Sequence, residues 1–488
     1  VVNKRRIIME KVLGNLQPED VFMYFEDISN IPRASFDEKA VAEYCMDFAH
    51  KHGLWCTMDE KFNVIIKKPA TPGKEDHTPV ILQGHLDMVC EKNLDVEHDF
   101  TTEPLKLYID GDYIYAKGTT LGGDNGIAVA ISLAILADDS LTHPEIEAIF
   151  TTGEEIGLEG AIALDTSDLN GKYMINLDSE EEGEFVVSCA GGKKTHIVLP
   201  ITKVSKTGEK FQIIIKGLLG GHSGMEIDKC RANANVLMGR LTNDLKKSAD
   251  YSITKIFGGL KDNAIPRESV VELITNDSQA IKDGLTKYEE IIKNEYKTSD
   301  KGITIEIKSL GTVTEDAFDD ETMKKILDSF MLFPNGIQTM SADIKDLPES
   351  SLNFGVLINH ENSVEFVFAL RSSVKSLKNL MHEKLEVIAN IIGATTSFVG
   401  EYPEWEYKPD SKLRDICVDE YNKLFGQEAI VKALHCGLES GVFAEKMEGL
   451  DIISFGPNIF DVHTPKEHLS ISSTERTYKL LVAILATL

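Results

Sequence analysis

Hydrophobic and polar positions along the chain follow two textures that meet near Val187. Before that point the apolar positions come in short uninterrupted runs. Pro79-Val80-Ile81-Leu82-Gln83 reads as a strand of the kind buried on both faces in a parallel sheet, and Ala148-Ile149-Phe150 and Tyr173-Met174-Ile175-Asn176-Leu177 read as two further apolar strands. Ile127 to Leu136 predicts a buried helix, Asp112 to Lys117 a β-rich passage, and Asn63 to Lys67 a strand. Upstream, Val21, Phe22, Phe25 and Ile28 recur at helical spacing, and Asp37 can cap a second helix running to about His52. Beyond Val187, alternating strands such as Phe211 to Lys216 are separated by long amphipathic helices. Ile227, Cys230, Ala234, Leu237, Met238, Leu241 and Leu245 form one helical stripe, and Val364 to Leu370 is a strand that ends at Arg371. This alternation comes in two blocks, roughly 190–295 and 300–400, that suggest a duplicated lobe without a residue-level repeat. Pro403 to Pro409 reads as a linker, followed by a strand at Asp451 to Phe455 and a closing helix from about Ser473.

The chain has 488 residues, more than one ordinary core holds, so at least two domains are expected. Its 51 basic and 79 acidic residues leave a net charge of -28, which argues against nucleic acid and anionic membranes as partners. Seven scattered cysteines without a C-x-x-C spacing argue against a disulfide framework or a cysteine zinc site. Val1 to Met9 carries Lys4, Arg5 and Arg6 but no apolar stretch of signal-peptide length, and no run is long enough to span a membrane, so a cytoplasmic protein is expected.

Each early apolar strand empties into residues that can bind a metal or move a proton. Pro79 to Gln83 leads into Gly84-His85-Leu86-Asp87, the run ending at Thr152 into Gly153-Glu154-Glu155-Ile156-Gly157, and Tyr173 to Leu177 into Asp178. Asp124 stands at a glycine-rich helix entrance, Leu121-Gly122-Gly123-Asp124-Asn125-Gly126, and His463 lies in Asp461-Val462-His463-Thr464-Pro465. That entrance is a poor phosphate cradle, since it lacks the Lys-Ser/Thr ending of a P-loop and its Asp would repel an anion. His85, Asp124, Glu155, Asp178 and His463 together offer the mixed nitrogen and oxygen donors that suit zinc or a related divalent ion. Five ligands exceed one tetrahedral site; with Asp124 as a bridge, each of two ions receives one His, one terminal carboxylate and the shared Asp. Two ions about 3.5–4 Å apart can activate a water and polarise a carbonyl. Neighbouring side chains leaving a strand diverge, so Glu155 can ligate while Glu154 stays free as general base. Asp87 is placed to hold the other ring nitrogen of His85.

His-x-Asp after an apolar strand, Gly-Gly-Asp-Asn-Gly, Gly-Glu-Glu-Ile-Gly, Asn-Leu-Asp and a late His-x-Pro resemble the dinuclear zinc peptidases that include carnosinase, carboxypeptidase G and aminoacylase. Gly217-Leu218-Leu219-Gly220-Gly221-His222-Ser223-Gly224, Arg231-Ala232-Asn233-Ala234-Asn235, Asn263-Ala264-Ile265-Pro266 and His435-Cys436-Gly437-Leu438-Glu439 make the chain most similar to members that cleave Xaa-His dipeptides. The resemblance covers nearly the whole chain. It implies an α/β fold in which a mixed-sheet catalytic domain, 1–187 and 403–488, is interrupted by an inserted α+β lid domain at 188–402, of one lobe or two. It implies one metal on His85, Asp124 and Asp178 and another on Asp124, Glu155 and His463, with Asp87 and Glu154 catalytic. His222 would stabilise the oxyanion, Asn263 and Arg371 would hold the substrate, and Glu439 would face its free amine. The expected cofactor is two divalent ions per chain, zinc first and cobalt or manganese next. The expected reaction is hydrolysis of dipeptides with free amino and carboxyl termini, Xaa-His dipeptides included. A homodimer is left open.

Two rivals stand beside this reading. An N-acyl amino acid amidohydrolase could use the same metals, but Glu439 as a partner for a free amine favours the dipeptidase. A metal-loaded binding or scaffold protein without turnover would have little use for Glu154 beside intact ligands.

Overall fold

The uninterrupted apolar runs become the centre of a parallel sheet, because only strands covered on both faces can be apolar at every position. The computed structural model describes residues 11–488, so the reading of Val1 to Met9 lies outside the described residues. The chain divides into two compact units. One holds the described residues up to Ser188 with Tyr407–Ala433 and Leu438–Leu488; the other holds Cys189–Glu406 and Leu434–Gly437.

In the first unit Val80–His85, buried at every position, pairs in parallel with Ile146–Thr151 on one side and Tyr173–Asn176 on the other, and the latter runs parallel to Asp451–Ser454. Antiparallel pairing of Val64–Lys68 with Ile146–Thr151, and of Trp55–Met58 with Val64–Lys68, extends one side, giving a mixed sheet of eight strands. Parallel direction is the decisive feature for chemistry. It brings the residues that follow three strands to one edge of the sheet. The buried helix spans Gly123–Ala137, but Asp124 and Asn125 lack helical dihedrals, so Asp124 stands at its mouth. A separate four-stranded sheet pairs Ile459–Phe460 with His468–Ser470, and His463 lies in the connection between those two strands. One detail departs from expectation: Asp37 does not cap the helix Lys39–Lys51. Its N-cap is Glu38, which makes no capping bond and instead accepts a hydrogen bond from the Gly153 N–H at 3.0 Å.

The second unit is built on one nine-stranded sheet. The strands Lys203–Lys216, Tyr251–Gly258, Ser269–Thr275 and Thr304–Phe318 lie in the spatial order fourth, first, third, second. Gly191–Pro200, Pro348–Asn359, Ser363–Ser372 and Thr395–Tyr402 repeat that order, and the two sets join where Gly258 faces Leu357. In the first set Ala234–Lys246 lies between the first and second strands and Ser278–Glu295 between the third and fourth; in the second set, leaving aside the inserted first set, Asp320–Leu332 and Lys375–Ile392 take the same places, the split βαβ arrangement. The halves are nested in sequence, since the first strand of the second set precedes the whole first set. Blocks drawn at 190–295 and 300–400 therefore misassign the strands 191–200 and 304–318: sequence order cannot show which strands hydrogen-bond. One apolar core, from Ile197 and Phe211 to Phe368 and Leu385, runs through both halves. The predicted stripe is also shorter than expected. The helix is Ala234–Lys246, capped by Asn233, whereas Ile227 lies in a short 3-10 turn and Cys230 is exposed in the left-handed region at φ +52°. Arg371 sits inside its strand, which continues to Ser372.

Candidate active site

In the first unit five side chains proposed as ligands converge from separate elements. His85 ends its strand with 1% of its surface exposed, and its Nε2 lies 3.1 Å from Asp124 Oδ1 and 3.6 Å from Asp178 Oδ1. His463 approaches from the other side, its Nε2 3.2 Å from Asp124 Oδ2 and 3.1 Å from Glu155. The two oxygens of Asp124 thus face different histidines. His85, Asp124 and Glu155 bring one ligand atom each within 4.8 Å of one another, a spacing that can hold a divalent ion. His463 is itself in the left-handed region, at φ +61°, a strained backbone of the kind kept where geometry matters.

Charge is concentrated here far beyond what burial alone permits. Burial favours a neutral His85, but Asp124, Asp178 and Asp87 hold its ring well above the usual imidazole range. Asp124 and Glu155 push His463 up to about 11. Asp124 shows the converse: burial would raise it, yet the two imidazoles hold it well below the usual carboxylate range. Each partner is set by its opposite, so the ring nitrogens and carboxylate oxygens face one another as donor and acceptor, and a cation could replace the shared protons.

Asp87 is fully buried and does two things. Its Oδ1 lies 3.4 Å from His85 Nδ1 and accepts from the Glu154 N–H at 3.1 Å; its Oδ2 accepts from the Glu155 N–H at 3.3 Å and the Ser35 hydroxyl at 2.8 Å. His85 Nδ1 also lies 3.1 Å from the Asp87 main-chain carbonyl, so Asp87 orients the imidazole through backbone and carboxylate together and holds the Glu154-Glu155 turn with the carboxylate. Burial pushes Glu154 up to about 8, with Glu439, Glu155 and Asp124 adding to the rise against the pull of His85. Glu439 has no exposed surface: its Oε2 accepts from the Gln83 amide at 2.5 Å and the Thr151 hydroxyl at 2.7 Å. Its other oxygen, Oε1, is buried with no hydrogen-bond partner among the described residues, so only one side of the carboxylate is engaged by the two strands.

Several residues that shape the site carried no signal in the sequence. The glycine-rich entrance is an anion cradle after all, filled by the chain's own Glu467. That carboxylate, 3% exposed, accepts from the N–H groups of Leu121, Gly122, Gly123 and Asp124 at 2.7 to 3.3 Å. Arg33, buried, donates to the carbonyls of Leu86 and Asp87 at 2.8 and 2.9 Å and to that of Gly122. Asn125 accepts from the His85 N–H at 3.1 Å and donates to the Leu177 carbonyl at 2.9 Å, tying together the mouths of two strands. The partners lie hundreds of residues apart in the case of Glu467, so only a search for acids able to reach the glycine pair could have found it.

The second unit holds the other predicted residues. Gly221 and His222 pair with Ile265 and Ala264, which sets His222 beside Asn263, and the Ser223 N–H donates to the Asn263 carbonyl at 2.9 Å. The Nδ1 of His222 accepts from the N–H groups of Gly224 and Met225 at 3.2 and 3.0 Å, so the ring carries its proton on Nε2. Burial and the nearby Arg371 hold the ring below the usual imidazole range, so it is a neutral donor at neutral pH. Asn263 is exposed. Arg371 is 8% exposed; its Nη1 donates to the Tyr402 hydroxyl at 2.7 Å, and its Nε has no partner among the described residues. A side chain at Gly224 would come within 3.1 Å of both Arg371 Nε and the His222 ring and would collide with the His435 carbonyl. Glycine there lets the two cationic or imidazole groups approach.

A family model described as "Peptidase family M20/M25/M40" matches residues 81–487. The chain is 36% identical over 479 residues to the cytosol non-specific dipeptidase of Escherichia coli strain K12, covering 97% of this chain and 98% of that protein. The crystal structure of aminoacylhistidine dipeptidase from Vibrio alginolyticus superposes with a TM-score of 0.93 at 36% identity, covering 98% of each chain. An aminopeptidase from Bacillus cereus, at 16% identity, shares the fold with a TM-score of 0.56 over 96% of this chain and 98% of that one.

Proposed function

The chain belongs to peptidase family M20/M25/M40, and from that membership and the site geometry we propose that it hydrolyses dipeptides with free amino and carboxyl termini, Xaa-His dipeptides included. One observation carries the reading: Asp124 turns Oδ1 toward His85 and Oδ2 toward His463, the posture of a carboxylate shared by two cations. His85, Asp124 and Asp178 would hold one divalent ion and Asp124, Glu155 and His463 the other, with zinc first among candidates. When bound, the ions supply Lewis acidity at the scissile carbonyl and at the attacking water.

The chain's own residues do the rest. Glu154, beside the ligands but not among them, takes the water's proton and passes it to the leaving amine. Asp87 keeps His85 and the Glu154 turn in register. His222, neutral and protonated on Nε2, donates to the oxygen that gains charge, and Asn263 and Arg371 hold the substrate, Arg371 by its terminal carboxylate. The second unit is proposed to act as a lid. Work in the cytoplasm is proposed as well, as the name of the Escherichia coli relative has it.

A panel of free, N-acetylated and C-amidated dipeptides, assayed with zinc, manganese and cobalt, tests the proposal. Free dipeptides should be the preferred substrates. Faster cleavage of the N-acetylated set would move the assignment to an N-acyl amino acid amidohydrolase.

A further inference from the structure

Arg371 is one of four residues in a cross-strand row. Along that row Ser351 faces Arg371, Arg371 faces Gly192, and Gly192 faces Tyr402. Residues directly opposite on paired strands project from the same face of a sheet, so the Arg371 and Tyr402 side chains share a face with an empty lane between them. Any side chain at Gly192 would occupy that lane: a Cβ built there falls into the Tyr402 ring. A second glycine closes the other side, since a Cβ at Gly437 would lie 2.6 Å from Tyr402 Cε2. The phenol is therefore slotted between two glycines from distant parts of the sequence, and its hydroxyl accepts from Arg371 Nη1 at 2.7 Å.

The backbone of Tyr402 is pinned as firmly as its ring. Lys378, 1% exposed, donates to the Tyr402 carbonyl at 2.9 Å and pairs with Glu404 at 2.7 Å. A buried ion pair is a poor source of net stability, but breaking one is costly, so it holds its segment in a single position. Guanidinium groups on three-carbon stems have several rotamers, and a carboxylate clamp works only when the fork is held in one of them.

We infer that Tyr402 is the positioning residue of the carboxylate clamp: through the lane left by Gly192 its hydroxyl holds the Arg371 guanidinium in the orientation that receives the substrate's terminal carboxylate. The inference rests on the assignment of Arg371 as that clamp. Tyr402 does not touch the substrate, so its effect appears in recognition of the carboxylate and not in the chemical step.

The test compares the metal-loaded full chain with Tyr402→Phe, Gly192→Ala and Arg371→Met on one dipeptide in free and C-amidated forms. Tyr402→Phe removes a single oxygen and should raise KM for the free dipeptide about tenfold, in line with loss of one hydrogen bond to a charged group, with kcat nearly unchanged. The amidated form should be cleaved as by wild type, so the preference for the free carboxylate narrows by the same factor. Gly192→Ala, whose Cβ would run into the Tyr402 ring and displace the phenol while both Arg371 and Tyr402 keep their identity, should narrow it in the same direction, with thermal melts reporting that each variant is folded. A general loss of structure would instead lower both substrates together and shift kcat. If Arg371→Met retains the wild-type preference, the clamp lies elsewhere and both readings fall. If Arg371→Met abolishes the preference while folded Tyr402→Phe keeps wild-type KM and preference, the clamp stands and Tyr402 has no part in it.

Discussion

At the scale of single residues the site separates the proposed ligands from the group proposed to move protons. Glu154 and Glu155 are adjacent, yet Glu155 lies 3.1 Å from His463 while Glu154 is pushed up by burial, a setting suited to a base. Glu154→Gln is expected to keep the metal-binding groups intact and to lose turnover by about 10² to 10⁴, the usual cost of removing a general base. Near-native kcat in that variant, with metal content unchanged, would assign the proton transfer to another residue. His222 makes a different prediction. Its Nδ1 is engaged by two backbone N–H groups, so the proton on Nε2 is available in one tautomer only. Replacing it by Ala should lower kcat far more than it raises KM, by roughly 3 kcal/mol of transition-state stabilisation. An unchanged kcat would make His222 a surface imidazole in a glycine turn. Glu439 has one oxygen on Gln83 and Thr151, while the other, Oε1, is buried without a hydrogen-bond partner among the described residues.

At the scale of elements, the entrance to the helix Gly123–Ala137 is the joint on which the site turns. Four N–H groups of residues 121–124 point at Glu467, and Arg33 binds the opposite carbonyl face at Gly122. The cradle thus fixes the backbone that carries Asp124, a ligand proposed for both ions. Glu467→Gln keeps the shape but turns an acceptor into an amide whose N–H₂ opposes the cradle's donors. It should cost about 1–3 kcal/mol in chemical denaturation, the penalty of unsatisfied buried donors, and should weaken metal binding in a competition titration. Wild-type stability and affinity together would mean that the entrance holds its form without Glu467. The strand ends are a second such device. Val80–His85, Ile146–Thr151 and Tyr173–Asn176 are parallel neighbours, so three short sequence motifs become one cluster.

At the scale of the whole chain, the proposed ligands are drawn from residues 85 to 463, so the metal binding proposed here would be a property of the folded first unit and not of any segment. A group of ligands that exists only when folded stabilises what it binds. The protein is expected to hold two divalent ions per chain by elemental analysis, and chelation should abolish activity and lower the melting temperature, both restored by added metal. A fully active preparation with one ion per chain that gains nothing from added metal would rule out a shared Asp124. The second unit follows a rule of its own: two sets of four strands with the same order are nested, the first strand of one lying ahead of the whole other set.

Much of this was legible in the sequence because the relevant signals are local. Apolar runs without alternation named the parallel strands, glycine pairs named the turns, and carboxylates or imidazoles directly after those runs named the candidate ligands and Glu154. Spacing along one strand or turn is short-range geometry, and residue order determines it. What depended on strand pairing and burial was decided only by the tertiary structure. Cross-strand rows set Gly192 between Arg371 and Tyr402, the nested halves reassigned the strands 191–200 and 304–318, and Glu467 found its cradle across more than three hundred residues. Packing set one oxygen of the buried Glu439 on Gln83 and Thr151, residues of two different strands. Hydrogen-bond partners distant in sequence are chosen by how the whole chain packs, and no local pattern of residues encodes that choice.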